Sequence, residues 1–156
     1  MLIDELKNIA RNNGIVGAGG AGFPAYAKMT EKADTVILNC VECEPLLKLH
    51  RQLLATHTEE IIQMLDEVRE SFGAKEAVIG IKSEYVTTIK AIEEVIGDFP
   101  NVRICALKAA YPMGDEVVLI YEATGRVIKP GGLPIDENVV VYNVETMYNL
   151  YRAVHL

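Results

Sequence analysis

Four short apolar runs constrain the fold more than any other feature: DTVILNC (34–40), EAVIGIK (76–82), NVRICAL (101–107) and NVVVYN (138–143). Their brevity and β-branched content predict buried strands. The segments between them have helical period. Ile61, Ile62, Leu65, Val68 and Phe72 recur on one face up to Gly73, and Thr56 and Glu59 are spaced as a capping box. Ser83 is placed to cap a helix carrying Val86, Ile89, Ile92 and Ile96, which Gly97 ends. At the start of the chain Leu2, Ile3, Leu6, Ile9 and Ala10 share a helical face, and Asn12-Asn13-Gly14 is a stop signal. At the end, Val144, Met147, Tyr148, Tyr151 and Val154 form the stripe of a helix that Asn143 can cap. DEVVLIYEATG (115–125) has the composition of a strand but the acidic start and glycine end of a helix, and is assigned to helix. Strands alternating with amphipathic helices predict an α/β sandwich with a mostly parallel four-stranded sheet covered by helices on both faces. Ligands of such sheets gather at the carboxyl ends of the strands, so the loops after Cys40, Leu107 and Val141 are the candidate edge.

Composition narrows the function. A chain of 156 residues, half of them hydrophobic, is expected to bury one core as a single domain. With 15 Lys and Arg against 22 Asp and Glu, its net charge of −7 repels nucleic acid and anionic membrane surfaces, and no run of four basic residues offsets this. No apolar segment approaches the roughly 20 residues that span a bilayer. MLIDELKNIARNNG carries acidic residues where a signal peptide would be basic, which favours a cytoplasmic location. Three cysteines do not make a disulfide framework. Cys40 and Cys43 spell C-x-x-C, but there is no second such pair, and His50, His57 and His155 have no ligand spacing with it. No metal is therefore expected at this pair, and Cys105 is read as core.

GAGGAG (17–22) fits the dinucleotide fingerprint G-x-G-x-x-G. A dinucleotide turn needs a buried strand leading in, and here a helix and its stop precede Gly17 with only Ile15 and Val16 between. The acidic residue passes its test, since Glu42 lies 20 residues beyond Gly22. Four glycines in six residues let backbone N–H groups approach a phosphate or a flat ring. A helix beginning near Pro24 would add its positive end, and Lys28 would reach the same anion about one turn later. The residues alone leave open a dinucleotide turn, another anion-binding glycine loop, or a tight turn packed on the sheet.

GAGGAGFPAYAK, NCVECEP, YPMGDE with TGR, and PGGLP followed by YNVETMYN, in that order from about Gly14 to Val154, resemble the flavin- and NADH-binding domain of the C subunit of the Rnf electron-transport complex. Related domains occur in the cobalamin reductase of propanediol utilisation, in proline reductase-linked Rnf C-like proteins and in the flavin subunit of respiratory complex I. The resemblance implies a Rossmann-like sandwich whose glycine loop embraces FMN, with NADH stacked on the flavin. Gly17, Gly19, Gly20 and Gly22 would line FMN, with Lys28 near its phosphate. Asn39 and Glu42 would contact the flavin, and Phe23 and Glu44 lie on the NADH side. Gly114 and Glu116 correspond to a Gly-Glu-Glu of complex I. Asn143 and Thr146 fall in its Asn-Val-Glu-Thr segment and would approach the flavin and its phosphate.

The resemblance further implies a longer protein, with a β-grasp domain and iron–sulfur clusters outside this chain, electron-transfer partner subunits, and a place on the cytoplasmic face of a membrane complex without direct insertion. Hydride transfer calls for no acid or base from the protein, so no catalytic residue is assigned. Four positions depart from complex I: Ala18 for arginine, Val41 for aspartate, Asp115 for glutamate and Tyr142 for asparagine. Val41 and Tyr142 each remove a polar group from the implied flavin shell. They leave a second reading, a nucleotide-binding or subunit-docking module that has lost its flavin.

Overall fold

The computed structural model describes residues 1–16, 24–41, 49–108 and 116–156. Among these the chain forms α1 (Ile3–Asn12), β1 (Thr35–Cys40), α2 (Leu49–Thr56), α3 (Thr58–Phe72), β2 (Glu76–Lys82), α4 (Val86–Ile96), β3 (Val102–Leu107), α5 (Glu116–Thr124), β4 (Val139–Asn143) and α6 (Val144–His155). Single 3-10 turns lie at Ala25–Lys28 and Pro134–Glu137. The four predicted strands make one sheet of order β3-β2-β1-β4, and every pairing in it is parallel. The α/β sandwich is therefore as the sequence predicts, with the sheet parallel throughout.

Crossover handedness explains how the helices divide between the two faces. The chain steps from β1 to β2 to β3 in one direction, with α3 and α4 on one face. To reach β4, on the far side of β1, it must return across the sheet, and a right-handed crossover in the reverse direction carries its helix over the other face. α5 lies there: Leu119, Ile120 and Ala123 pack with Ile37, Val78, Val139 and Val141. Val36, Leu38, Ile79, Ile81, Val140 and Tyr142 alternate to the opposite side and pack with α1, α3, α4 and α6. A Cβ at Gly80 of β2 would collide with Leu119 Cδ1, so the glycine is what lets α5 lie close against the sheet.

Two helix starts differ from the sequence expectation, and α2 has no sequence signal of its own, since only Leu54 among its residues is buried. Thr56 does not cap α3; it ends α2, where its hydroxyl donates to the Gln52 carbonyl at 2.8 Å. His57 takes the N-cap position of α3 without a side-chain cap bond, and Thr58 donates to the carbonyls of Leu54 and Ala55, stitching the bend between the helices. Ser83 does not cap α4 either, because its N–H continues the sheet by donating to the Leu107 carbonyl at 2.7 Å, and Tyr85 takes the cap position. The ambiguous stretch from 115 to 125 is helical from Glu116 onward, and Gly125 at φ +75° ends it.

At the amino edge of the sheet Arg126 fastens the chain that returns from α5. One of its Nη1 hydrogen bonds reaches Asp34 Oδ1 at 2.6 Å and another the Glu137 carbonyl at 2.8 Å. Partial burial raises the Asp34 pKa, but the hydrogen bonds from Arg126 and Thr35 and the nearby positive charges outweigh it, leaving the carboxyl below its ordinary value.

Candidate functional site

With all strands parallel, their carboxyl ends share one edge, and β1 and β4 lie side by side there with Asn39 opposite Asn143. Asn39 Oδ1 accepts the Val41 N–H at 2.9 Å and turns the chain out of β1. Asn143 Oδ1 accepts the Thr146 N–H at 2.8 Å, the predicted cap of α6.

The glycine run is anchored at this junction. Val16 and Pro24, which flank residues 17–23, form an antiparallel bridge, so the two feet of the loop stand together. Thr146 Oγ1 donates to the Val16 carbonyl at 3.3 Å and ties the leading foot to the first turn of α6. The trailing foot is the 3-10 turn Ala25–Lys28. This single turn takes the place of the helix expected after Pro24, so it brings little macrodipole, and the positive charge here is that of Lys28 itself. Tyr142 Oη donates to the Ala25 carbonyl at 3.3 Å. Lys28 Nζ donates to the Val141 carbonyl at 3.1 Å and stands 5.8 Å from the centre of the Tyr142 ring. The Arg11 guanidinium covers the Tyr26 ring at 4.7 Å, joining the turn to α1.

Lys28 and Glu116, the first residue of α5, line one cavity of about 370 Å³ together with the outer edge of β4 and Leu133, Pro134 and Ile135. Its volume lies in the range of small-molecule sites, and its walls are largely apolar. The structure thus brings Asn39, Asn143 and Thr146 to the ends of β1 and β4, while Lys28, held on the middle residue of β4, lines the cavity along that strand's outer edge with Glu116. Gly17, Gly19, Gly20, Gly22, Phe23, Glu42, Glu44 and Gly114 lie outside the described residues, as do Ala18, Cys43 and Asp115.

Val41 and Tyr142 are both turned into core. Val41 packs in the cluster beneath α5 and Tyr142 in the opposite one, 6% and 3% exposed. Burial pushes the Tyr142 phenol well above its ordinary pKa, so it stays protonated and donates. The sequence reading misses the clamp that Tyr142 makes; the alternation of NVVVYN, which sets Val140 and Tyr142 on one face, is the signal that points to its burial. Cys40 is buried and Cys105 half-buried, its thiol pushed up by desolvation. His57 stacks on Tyr148 at 4.4 Å and His155 pairs with Glu67 at 2.8 Å. Among the described residues no three His, Cys, Asp or Glu side chains are grouped to hold a metal ion, and no helix is long and apolar enough to cross a membrane.

The residue types suit FMN: the Lys28 ammonium, which lines the cavity, and the Thr146 hydroxyl at the start of α6 are phosphate-binding types, the amides of Asn39 and Asn143 at the strand ends suit polar groups of a ligand, and the cavity wall is apolar enough for a flat ring. Comparison with known proteins agrees. The chain is 40% identical over 149 residues to the cobalamin reductase PduS of Citrobacter freundii, covering 96% of this chain and 33% of that protein. It is 37% identical over 147 residues to the C subunit of the Na(+)-translocating ferredoxin:NAD(+) oxidoreductase complex of Acetobacterium woodii, covering 92% and 33%. The chain thus spans about a third of the length of these curated relatives. A chain of an NAD+-reducing NiFe hydrogenase shares the fold, with a TM-score of 0.79 at 23% identity over 97% of this chain and 30% of that one. Residues 10–152 match the family described as the Nuo51 FMN-binding domain, and the chain belongs to that family.

Proposed function

We propose that this chain is the flavin domain of an electron-transfer oxidoreductase that takes hydride from NADH, one domain of a longer protein whose β-grasp and iron–sulfur regions pass electrons to partner subunits. The observation that carries this is that both feet of the glycine loop are tied to β4 and α6, through Lys28 and Thr146, next to Asn39 and Asn143 at the ends of β1 and β4, in a chain of an FMN-binding family. The names of its relatives, a cobalamin reductase and a ferredoxin:NAD(+) oxidoreductase subunit, support the electron-transfer role.

FMN, when bound, supplies a centre that accepts two electrons as hydride and releases them singly. Lys28 would neutralise its phosphate, and Asn143 and Thr146 would approach the flavin and its phosphate. Gly17, Gly19, Gly20 and Gly22 present backbone without a Cβ, so that two flat rings can be stacked at reacting distance. Asn39 and Glu42 would orient the flavin, Phe23 and Glu44 would serve the pyridine nucleotide, and Gly114 and Glu116 would serve as the Gly-Glu-Glu segment does in complex I. No side chain is needed as acid or base. The reading that the flavin has been lost rests on Val41 and Tyr142, and both are accounted for as core residues.

The test is reconstitution. The purified chain is loaded with FMN, desalted and mixed anaerobically with NADH. Retained flavin whose visible absorbance bleaches on addition of NADH supports the function; a chain that retains no flavin overturns it.

A further inference from the structure

Tyr142 is buried against the turn Ala25–Lys28, yet the chemistry above gives it no part. It lies opposite Leu38 in the ladder between β4 and β1, so its backbone is rigidly placed. The turn Ala25–Lys28 that rests on it is not. A four-residue 3-10 turn has no stability of its own, and no side chain caps its start. Its position comes from what it rests upon. At one end the Ala25 carbonyl accepts from Tyr142 Oη. At the other the Lys28 ammonium lies near the Tyr142 ring and donates to the carbonyl of the preceding residue, Val141. Both ends of the turn are therefore held by two consecutive residues of β4.

Building on the FMN reading, we infer that Tyr142 is a positioning residue for the cofactor phosphate: it holds the trailing foot of the glycine loop so that the Lys28 ammonium stands at the outer edge of β4, on the Val141 carbonyl. It acts through Lys28 and does not touch the cofactor. A buried hydroxyl here thus sets affinity for one end of the ligand, the anionic one.

FMN and riboflavin differ only by the phosphate, so their dissociation constants, measured on the 156-residue chain by quenching of flavin fluorescence, separate this role from general support of the fold. Tyr142→Phe keeps the ring and deletes the hydroxyl. It should weaken FMN about fivefold, the size of one lost hydrogen bond, and leave riboflavin within about twofold. Lys28→Met should show the same selectivity, and adding Tyr142→Phe to it should cost nothing further, because the tyrosine works through the lysine. Equal weakening of both flavins by Tyr142→Phe, or unchanged FMN binding, overturns the inference. Lys28→Met tests it even where Tyr142→Phe fails to fold: if that variant keeps the wild-type preference for FMN over riboflavin, there is no phosphate contact to position and the inference falls. A wild-type chain that binds neither flavin overturns the FMN reading itself, and this inference with it; one that binds FMN while Tyr142→Phe changes nothing overturns this inference alone.

Discussion

Asp34 is the residue at which pH acts most directly on the fold. Desolvation raises its pKa, but the hydrogen bonds and charge of Arg126, with help from Thr35 and Lys75, more than offset this and hold the carboxyl below its ordinary value in the folded state. A depressed folded pKa contributes stability that is present in full above the unfolded value, near 3.8, and is lost as pH falls through the lower folded one. Asp34→Asn removes the charge and keeps the shape. At neutral pH it should lower unfolding stability by about 1 kcal/mol, a modest figure because both partners are about a third exposed and water screens them. Urea titrations at a series of pH values should show the gap between the two proteins closing below about pH 4, as wild-type Asp34 itself becomes neutral. A gap that stays constant into acid would place the effect outside this ion pair. The pair is not legible in the sequence: Asp34 reads as the start of a strand and Arg126 as part of a family motif, and they stand 92 positions apart in the chain.

Strands and long helices are legible because their pattern is local. A run such as EAVIGIK, apolar on both faces, suits a fully buried strand of the kind found in parallel sheets, and the stripe from Ile61 to Phe72 has the period of a helix wherever it packs. Asn143 is legible for the same reason, since a cap and the N–H it receives lie within one turn. What escapes depends on neighbours distant in sequence. Ser83 has the chemistry of a cap but its backbone is claimed by β3, and Thr56 bonds back into α2 because the Thr58 hydroxyl makes the bend. Gly80 belongs with these, as its meaning emerges only when α5 is laid across the sheet. Gly80→Ala should force Leu119 off its rotamer or lift α5, lowering stability by about 1–3 kcal/mol in denaturant unfolding. Leu119→Val, which shortens the side chain that is struck, should recover part of that loss, so that the double variant is more stable than the sum of the single changes predicts. Simple additivity would mean that α5 does not rest on Gly80.

At the scale of the whole molecule, the site is where elements far apart in the chain come together, and this explains how much of it can be read from sequence. The residue types suited to FMN stand in recognisable motifs, but what fixes them is a bond such as that from Tyr142 to Ala25, spanning 117 positions. The same arrangement links binding to global stability. Thr146, Tyr142 and Lys28 join the feet of the glycine loop to β4 and α6, and β4 and α6 belong to the main core, so a ligand held there is coupled to elements that must separate on unfolding. A ligand that binds only the folded chain stabilises it by about 2.7 kcal/mol when present at a hundred times its dissociation constant. For a chain of 156 residues this raises the melting temperature by about 5–10 °C. Calorimetry with FMN at that excess should show such a rise as a single transition. Riboflavin at the same molar concentration should give a smaller one, because it lacks the phosphate proposed to meet Lys28. Lys28→Met should bring the FMN shift down toward that of riboflavin. A shift confined to a minor early transition would mean that the loop and its turn melt apart from the sheet, and that the clamps on β4 do not connect the site to the core.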